Sequence, residues 1–149
     1  MTQEVSLREL TRENWWECAS LELPEDQAHF VASNLISIAQ SRIEPERTPM
    51  AIYVDETMVG FVLFNDRPLW DGSYRLSRLM IDHDHQGRGY GRAATKLVIS
   101  RLRDVAGCHE ILLDYHQDNH AAASLYTSLG FEPFDEHDGV IVCRLRLNA

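Results

Sequence analysis

From Gln86 to Arg92 the chain reads Gln86-Gly87-Arg88-Gly89-Tyr90-Gly91-Arg92, a run whose residue types suit phosphate binding. Glycine takes backbone angles closed to other residues and lets peptide N–H groups come close to a ligand. A helix opening at the end of such a run adds partial positive charge at its first turn. Arg88 and Arg92 can add direct charge contacts. The run lacks the Gly-Lys-Ser/Thr end of a Walker loop. It also departs from the Rossmann fingerprint: its spacing is G-x-G-x-G, it lies past mid-chain, and no second βαβ half follows. The alternative is a plain strand-to-helix turn. Just upstream, Asp82-His83-Asp84-His85 holds four residues of metal-ligating type. Adjacent residues in one strand-to-loop segment rarely converge on one ion, and no partner cluster is evident, so no metal is expected.

Around this run the sequence sets out elements to position it. Val5 to Leu10 alternates like a short strand, and Thr11 reads as the cap of a helix beginning near Glu13. Pro24 opens a second helical stretch, with Phe30, Val31, Leu35, Ile38 and Ala39 at helical spacing, closed by Pro45 and Pro49. Met50 to Val54 and Met58 to Phe64 read as an antiparallel hairpin across a short link. Asp71-Gly72-Ser73 is a turn, and Tyr74 to Ile81 a strand that leads to the glycine run. The helix after it should bury Ala93, Ala94, Leu97, Val98, Leu102 and Val105, and stop at Gly107. Glu110 to Tyr115 is a strand. Asn119 caps a helix carrying Ala122, Leu125 and Leu129, and Gly130 ends it. Strands near Phe131 to Phe134 and Val140 to Leu147 complete a β-α-α-β-β-β-α-β-α-β-β order. That is an α+β (mixed α/β) fold in one domain spanning residues 1–149. Trp15 and Trp16 read as core or cleft-edge residues and Trp70 as a loop anchor.

Composition narrows the class. With a net charge of −9, nucleic acid is disfavoured as a partner. The charge is uneven: residues 1–73 hold 13 acids against 5 bases, and the rest is nearly balanced. No apolar run is long enough for a membrane span, and Met1 to Leu10 lacks the pattern of a secretory signal. Cys18, Cys108 and Cys143 are odd in number and far apart, which argues against a disulfide framework and for a reducing cytoplasm.

Two motifs then carry a resemblance. Gln86-Gly87-Arg88-Gly89-Tyr90-Gly91 resembles the Q/R-x-x-G-x-G/A signature of the GCN5-related N-acetyltransferase (GNAT) family. Asn119 through Phe131 resembles that family's N-x-x-A-x-x-L-Y-x-x-x-G-F. The helix His29 to Gln40 and the strand Arg78-Leu79-Met80-Ile81-Asp82 are similar to those of the bacterial spermine/spermidine acetyltransferases. The resemblance implies the GNAT fold, a mostly antiparallel sheet of six to seven strands flanked by about four helices. It also implies transfer of acetyl from acetyl-CoA to a small amine.

The same resemblance assigns roles. Gln86, Gly87, Arg88, Gly89, Tyr90, Gly91 and Arg92 would hold the CoA phosphates. The backbone of Leu79, Met80 and Ile81 would pair with the pantetheine arm. Asn119 stands where the family contacts that arm, a role compatible with capping its helix. Tyr126 stands where the family places the acid that protonates the departing sulfur. A phenol of pKa about 10 stays protonated at neutral pH and can donate to a thiolate whose acid lies near about 8.5. The alternative is a tyrosine packed beside Leu125 and Leu129. Asp82, the nearest strand-end acid, is the candidate base; its alternative is to cap the segment that follows. Glu13, Glu17, Glu22, Glu25 and Asp26 would make an acidic wall suited to a polycation such as spermidine or spermine. A protein or peptide amine, an aminoglycoside, or a non-catalytic acetyl-CoA sensor are the other readings. Relatives are often dimers, which makes a homodimer an expectation by analogy.

Overall fold

The protein is described by a computed structural model covering residues 3–147. Met1 and Thr2, where the reading of the N-terminus began, lie outside the described residues. Seven strands and four α-helices follow the expected order, and two 3-10 turns lie between them.

Strand β1 (Val5–Glu9) leads to α1 (Trp15–Ser20). Thr11 acts one turn earlier than a helix cap: its Oγ1 accepts from the N–H groups of Glu13 and Asn14, both at 3.2 Å. Asn14 then holds the cap position. The second helical stretch is broken. A 3-10 turn at Ala28–Phe30 gives way to extended Val31, and Ser33 caps α2 (Asn34–Ile43) by accepting from Ile36 N–H at 3.2 Å. The face that α2 buries also differs from the apolar stripe. Asn34 and Ser37 face inward while Leu35 and Ile36 stand 57% and 60% exposed. The reason is a polar tie: Asn34 Nδ2 donates to the Cys18 carbonyl at 2.8 Å, fixing α2 to the end of α1.

Strands β2 (Thr48–Val54) and β3 (Thr57–Phe64) form the expected hairpin, turning at Asp55, which takes φ +52°. Their continuous apolar runs are buried on both faces. Alternation, reset by a bulge where Ile52 and Tyr53 face Gly60 and Met58, divides them between two cores. Ile52, Val59 and Val62 pack under α3 (Tyr90–Arg103), whereas Ala51, Tyr53, Phe61 and Leu63 pack with Cys18 of α1 and Ile38 of α2. On α3 the buried stripe includes Thr95 and Ile99, and Leu97 faces outward. Thr95 is tolerated there because its hydroxyl donates to the Gly91 carbonyl at 2.7 Å. The tryptophans differ from expectation: Trp16 and Trp70 are exposed and Trp15 borders on it.

Strand β4 (Leu76–Ile81) completes a four-stranded antiparallel sheet in the order β1-β2-β3-β4. Strands β5 (Glu110–His116), β6 (Glu132–His137) and β7 (Val140–Arg146) form a second sheet in the order β5-β7-β6, and α4 (His120–Ser128) joins β5 to β6. The two sheets meet between β4 and β5 at one parallel bridge, Arg75 to Leu112. Beyond that bridge no ladder joins them, so the second edge of β4 is left open and a cleft forms. Gly60 of β3 brings β3 and β4 together beside it. A Cβ there would run into the Met80 carbonyl oxygen, and would meet Ile81 Cδ1 at 2.9 Å.

Candidate functional site

The cleft holds a cavity of about 720 Å³. One end is made by the glycine run. Gly87 and Gly89 take φ +79° and +81°, and a Cβ at either would meet nothing within 4 Å. Glycine is needed there for backbone angle and not for space. Gly89 caps α3 without any side-chain bond, so the first N–H groups of the helix keep no internal partner. Gln86 closes the run back onto the sheet: its Nε2 donates to the Ile81 carbonyl at 3.0 Å and to Gln27 Oε1 at 3.1 Å. Gly91 packs near Ile81, Leu79 and Leu125, whose nearest atoms lie 3.7 to 3.9 Å from where its Cβ would be, ordinary contact that a methyl group would also make. The result is a cradle of backbone donors at a helix dipole, the arrangement that binds phosphate.

The cavity wall then runs along Leu79, Met80 and Ile81 to Asn119 and Tyr126 on the far side. Asn119 caps α4, its Oδ1 accepting from Ala122 N–H at 3.1 Å, while it also faces the cavity. Tyr126 is buried beside Phe131 and Tyr115, with ring centroids 5.7 and 6.2 Å away. Burial, and secondarily the negative charge of Asp114, push its phenol pKa well above the ordinary value. Tyr126 therefore stays protonated throughout the physiological range.

Of the residues expected at the site, Leu79, Met80, Ile81, Gln86, Gly87, Gly89, Tyr90, Gly91, Arg92, Asn119 and Tyr126 line one cavity. Arg88 is exposed and lies outside its wall. Arg92 also bonds Ser128 Oγ of α4. Asp82 moves from the chemistry to the scaffold. It is buried and does not line the cavity. Its Oδ1 accepts from Glu22 N–H at 3.0 Å and its Oδ2 from Asp84 N–H at 3.3 Å. Those bonds pin the segment after α1 to the end of β4, the capping alternative rather than the base. Asp82, His83 and Asp84 bring one ligand atom each within 4.8 Å of one another, but Asp82 is already committed to backbone donors.

Sequence reasoning missed the other end of the cavity. Arg78 of β4, Asp114 and His116 of β5, and His29 and Phe30 of the 3-10 turn all line it. The His116 ring stands 5.7 Å from Phe30 and 6.0 Å from His29, closing one side. His116 Nδ1 accepts from Asp118 N–H at 3.1 Å, which leaves its Nε2 as the proton-bearing nitrogen of the neutral ring. Alternation along 110–116 already placed Asp114 and His116 on one face, and Arg78 was a charge inside an apolar strand. A smaller recess of about 340 Å³ shares Leu23, Val31, Ala32 and Met80 with the main cavity and is bordered by Glu22 and Glu25. Cys18, Cys108 and Cys143 are free and buried. Burial pushes the Cys18 thiol up to about 12.

Two splayed sheets, a cradle of backbone donors at one end of the gap and a buried, protonated tyrosine on its wall make a site whose shape and donors suit a long phosphorylated ligand. Comparison with known proteins gives the class its name. The family model described as "Acetyltransferase (GNAT) family" matches residues 7–131. The spermine/spermidine N(1)-acetyltransferase of Bacillus subtilis (strain 168) is 25% identical over 133 residues, covering 86% of this chain and 88% of that protein. The spermidine N-acetyltransferase from Vibrio cholerae, solved in complex with CoA and spermine, superposes with a TM-score of 0.76 at 17% identity, over 96% of this chain and 95% of that one. The ribosomal-protein-S18-alanine N-acetyltransferase from Escherichia coli superposes with a TM-score of 0.75 at 22% identity, over 98% and 96%. The chain belongs to the acetyltransferase (GNAT) family and is an acetyl-CoA-dependent N-acetyltransferase.

Proposed function

We propose that this chain, acting as one domain, transfers acetyl from acetyl-CoA to a primary amine by direct attack, with Tyr126 as the acid. The observation that carries this reading is the placement of Tyr126: a buried phenol on the same cavity wall as the glycine cradle and the open edge of β4. The cradle from Gln86 to Arg92 takes the phosphates, with Arg88 contributing only long-range charge. The free edge of Leu79, Met80 and Ile81 takes the amides of the ligand arm as a neighbouring strand would, and Asn119 touches that arm while capping α4.

The acceptor ammonium first gives one proton to solvent. The neutral amine then forms a C–N bond at the thioester carbonyl and the C–S bond breaks. Tyr126 hands its proton to the departing sulfur and recovers one from the new amide nitrogen, so one proton is released per turnover.

A polyamine is the acceptor favoured by the named relatives, and Glu22 and Glu25 beside the recess would suit its cationic tail. The neighbour that acts on a ribosomal protein keeps a peptide amine as the second reading. Strand β6, exposed along its length at the sheet edge, is where a second copy would pair in a homodimer. The test is thiol release from acetyl-CoA with spermidine, spermine, an aminoglycoside and a lysine peptide as separate acceptors. Turnover with the polyamines supports the first reading. Turnover with the peptide alone selects the second, and CoA binding without turnover on a broad amine panel removes catalysis.

A further inference from the structure

The inner end of the cavity holds a cation that has no anion. Arg78 sits mid-way along β4, between Ser77 and Leu79, and is partly buried in the cavity wall. Its terminal nitrogen donates to the Ser77 carbonyl at 2.9 Å, a bond to its own neighbour. Its Nε is enclosed and meets no acceptor. Among the described residues no carboxylate lies within 4.0 Å of it. Arg47 close by shows the contrast. It is paired with Glu44 at 2.8 Å and bonded to Ser77 Oγ at 2.8 Å, so Glu44 is already taken. A partly buried guanidinium with an enclosed, unfilled donor is costly, and its planar fork matches a carboxylate.

The facing strand supplies the opposite sign. Asp114 of β5 lines the same cavity, is exposed, and its carboxylate makes no hydrogen bond or ion pair among the described residues. It is near enough for its charge to act on both Arg78 and Tyr126. Arg78 lies three residues, roughly 10 Å, up the strand from Ile81, to which Gln86 ties the glycine cradle, at the end the phosphates would leave free.

We propose that the acceptor is a small amino carboxylate, with Arg78 receiving its carboxylate and Asp114 its ammonium. The inference rests on the acetyl-transfer reading and departs from its polyamine acceptor, which would set a cation against Arg78.

The test uses matched pairs that differ by one carboxylate: lysine against cadaverine, and 4-aminobutyrate against propylamine. Binding of each to the CoA-loaded protein is measured by calorimetry, so the result stands whether or not turnover is seen. The expected result is that the amino carboxylates bind at least about tenfold tighter than their partners, a charged hydrogen-bonded pair being worth about that or more. Arg78→Gln should remove the difference without weakening the plain amines or CoA. Arg78→Lys should retain part of it. Asp114→Asn should weaken both members of each pair. Melting curves of the variants establish that each is folded, and the Lys variant keeps the test open should the Gln variant unfold. Equal binding within each pair, no binding of any amino carboxylate, or a loss of CoA affinity in Arg78→Gln would overturn the proposal. Thiol release with the same compounds tests the reaction separately: tight carboxylate-dependent binding without release would leave the subsite standing and sink the acetyl-transfer reading.

Discussion

The two ends of the cavity are built from different material. The cradle end is backbone: Gly87 and Gly89 at positive φ, the unpaired N–H groups that open α3, and Gln86 locking the run to β4. The opposite end is side chain: Arg78 from β4, Asp114 and His116 from β5, and His29 and Phe30 from the 3-10 turn, three separate segments. On the proposed reading, backbone donors recognise whatever every substrate pair shares, the phosphates and amides of the common ligand. Side chains recognise what differs from one acceptor to another. Exchange of one side chain should therefore alter selectivity at the inner end, whereas the cradle should respond chiefly to changes in backbone angle.

That contrast can be broken at several points. The largest expected effect is Tyr126→Phe, which keeps the ring packed on Phe131 and removes the proton. Turnover should fall about 100-fold or more while acetyl-CoA affinity holds, as steady-state kinetics beside calorimetry would show. Because burial raises its pKa, activity carried by Tyr126 should show no alkaline loss until the pH passes about 10. Next is Gly89→Val, where a β-branched residue is forced to φ +81°. Strain of about 1–3 kcal/mol should appear as a drop of roughly ten- to a hundredfold in CoA affinity, with acceptor selectivity unchanged. Changed selectivity instead would mean that the ends are not separable. Asp82→Asn should lower stability by about 1–3 kcal/mol in denaturant unfolding, since at most one oxygen can still accept from Glu22 and Asp84. The folded fraction should keep its kcat; a large kcat loss would return Asp82 to the chemistry. The smallest effect is expected for Arg88→Ala. An exposed arginine off the cavity wall should change CoA affinity by only a few-fold, and less at high salt.

What was readable in the sequence was local. The glycine run, the Asn119 cap, the β2–β3 hairpin and the element order follow from rules acting within a few residues. Reading failed where a distant partner decided. The α2 stripe pointed Leu35 inward, but Asn34 won that face through the Cys18 carbonyl, which periodicity does not contain. Asp82 could face either way until the segment holding Glu22 was laid beside it. Arg78 and Asp114 are separate charges in the sequence. They come to share a cavity only because the Arg75–Leu112 bridge sets β4 beside β5 and then lets them part.

That parting leaves the β4 edge without the partner a sheet would normally give it. On the proposed reading, the arm of acetyl-CoA fills the gap as an extra strand. The folded chain would then be complete only when loaded. A ligand bound by the native state alone stabilises it by about 2.7 kcal/mol at a hundredfold excess over Kd. The melting temperature, and with it resistance to proteolysis, would then track the supply of acetyl-CoA, so that the amount of enzyme surviving in a cell would itself report on the supply of its cosubstrate.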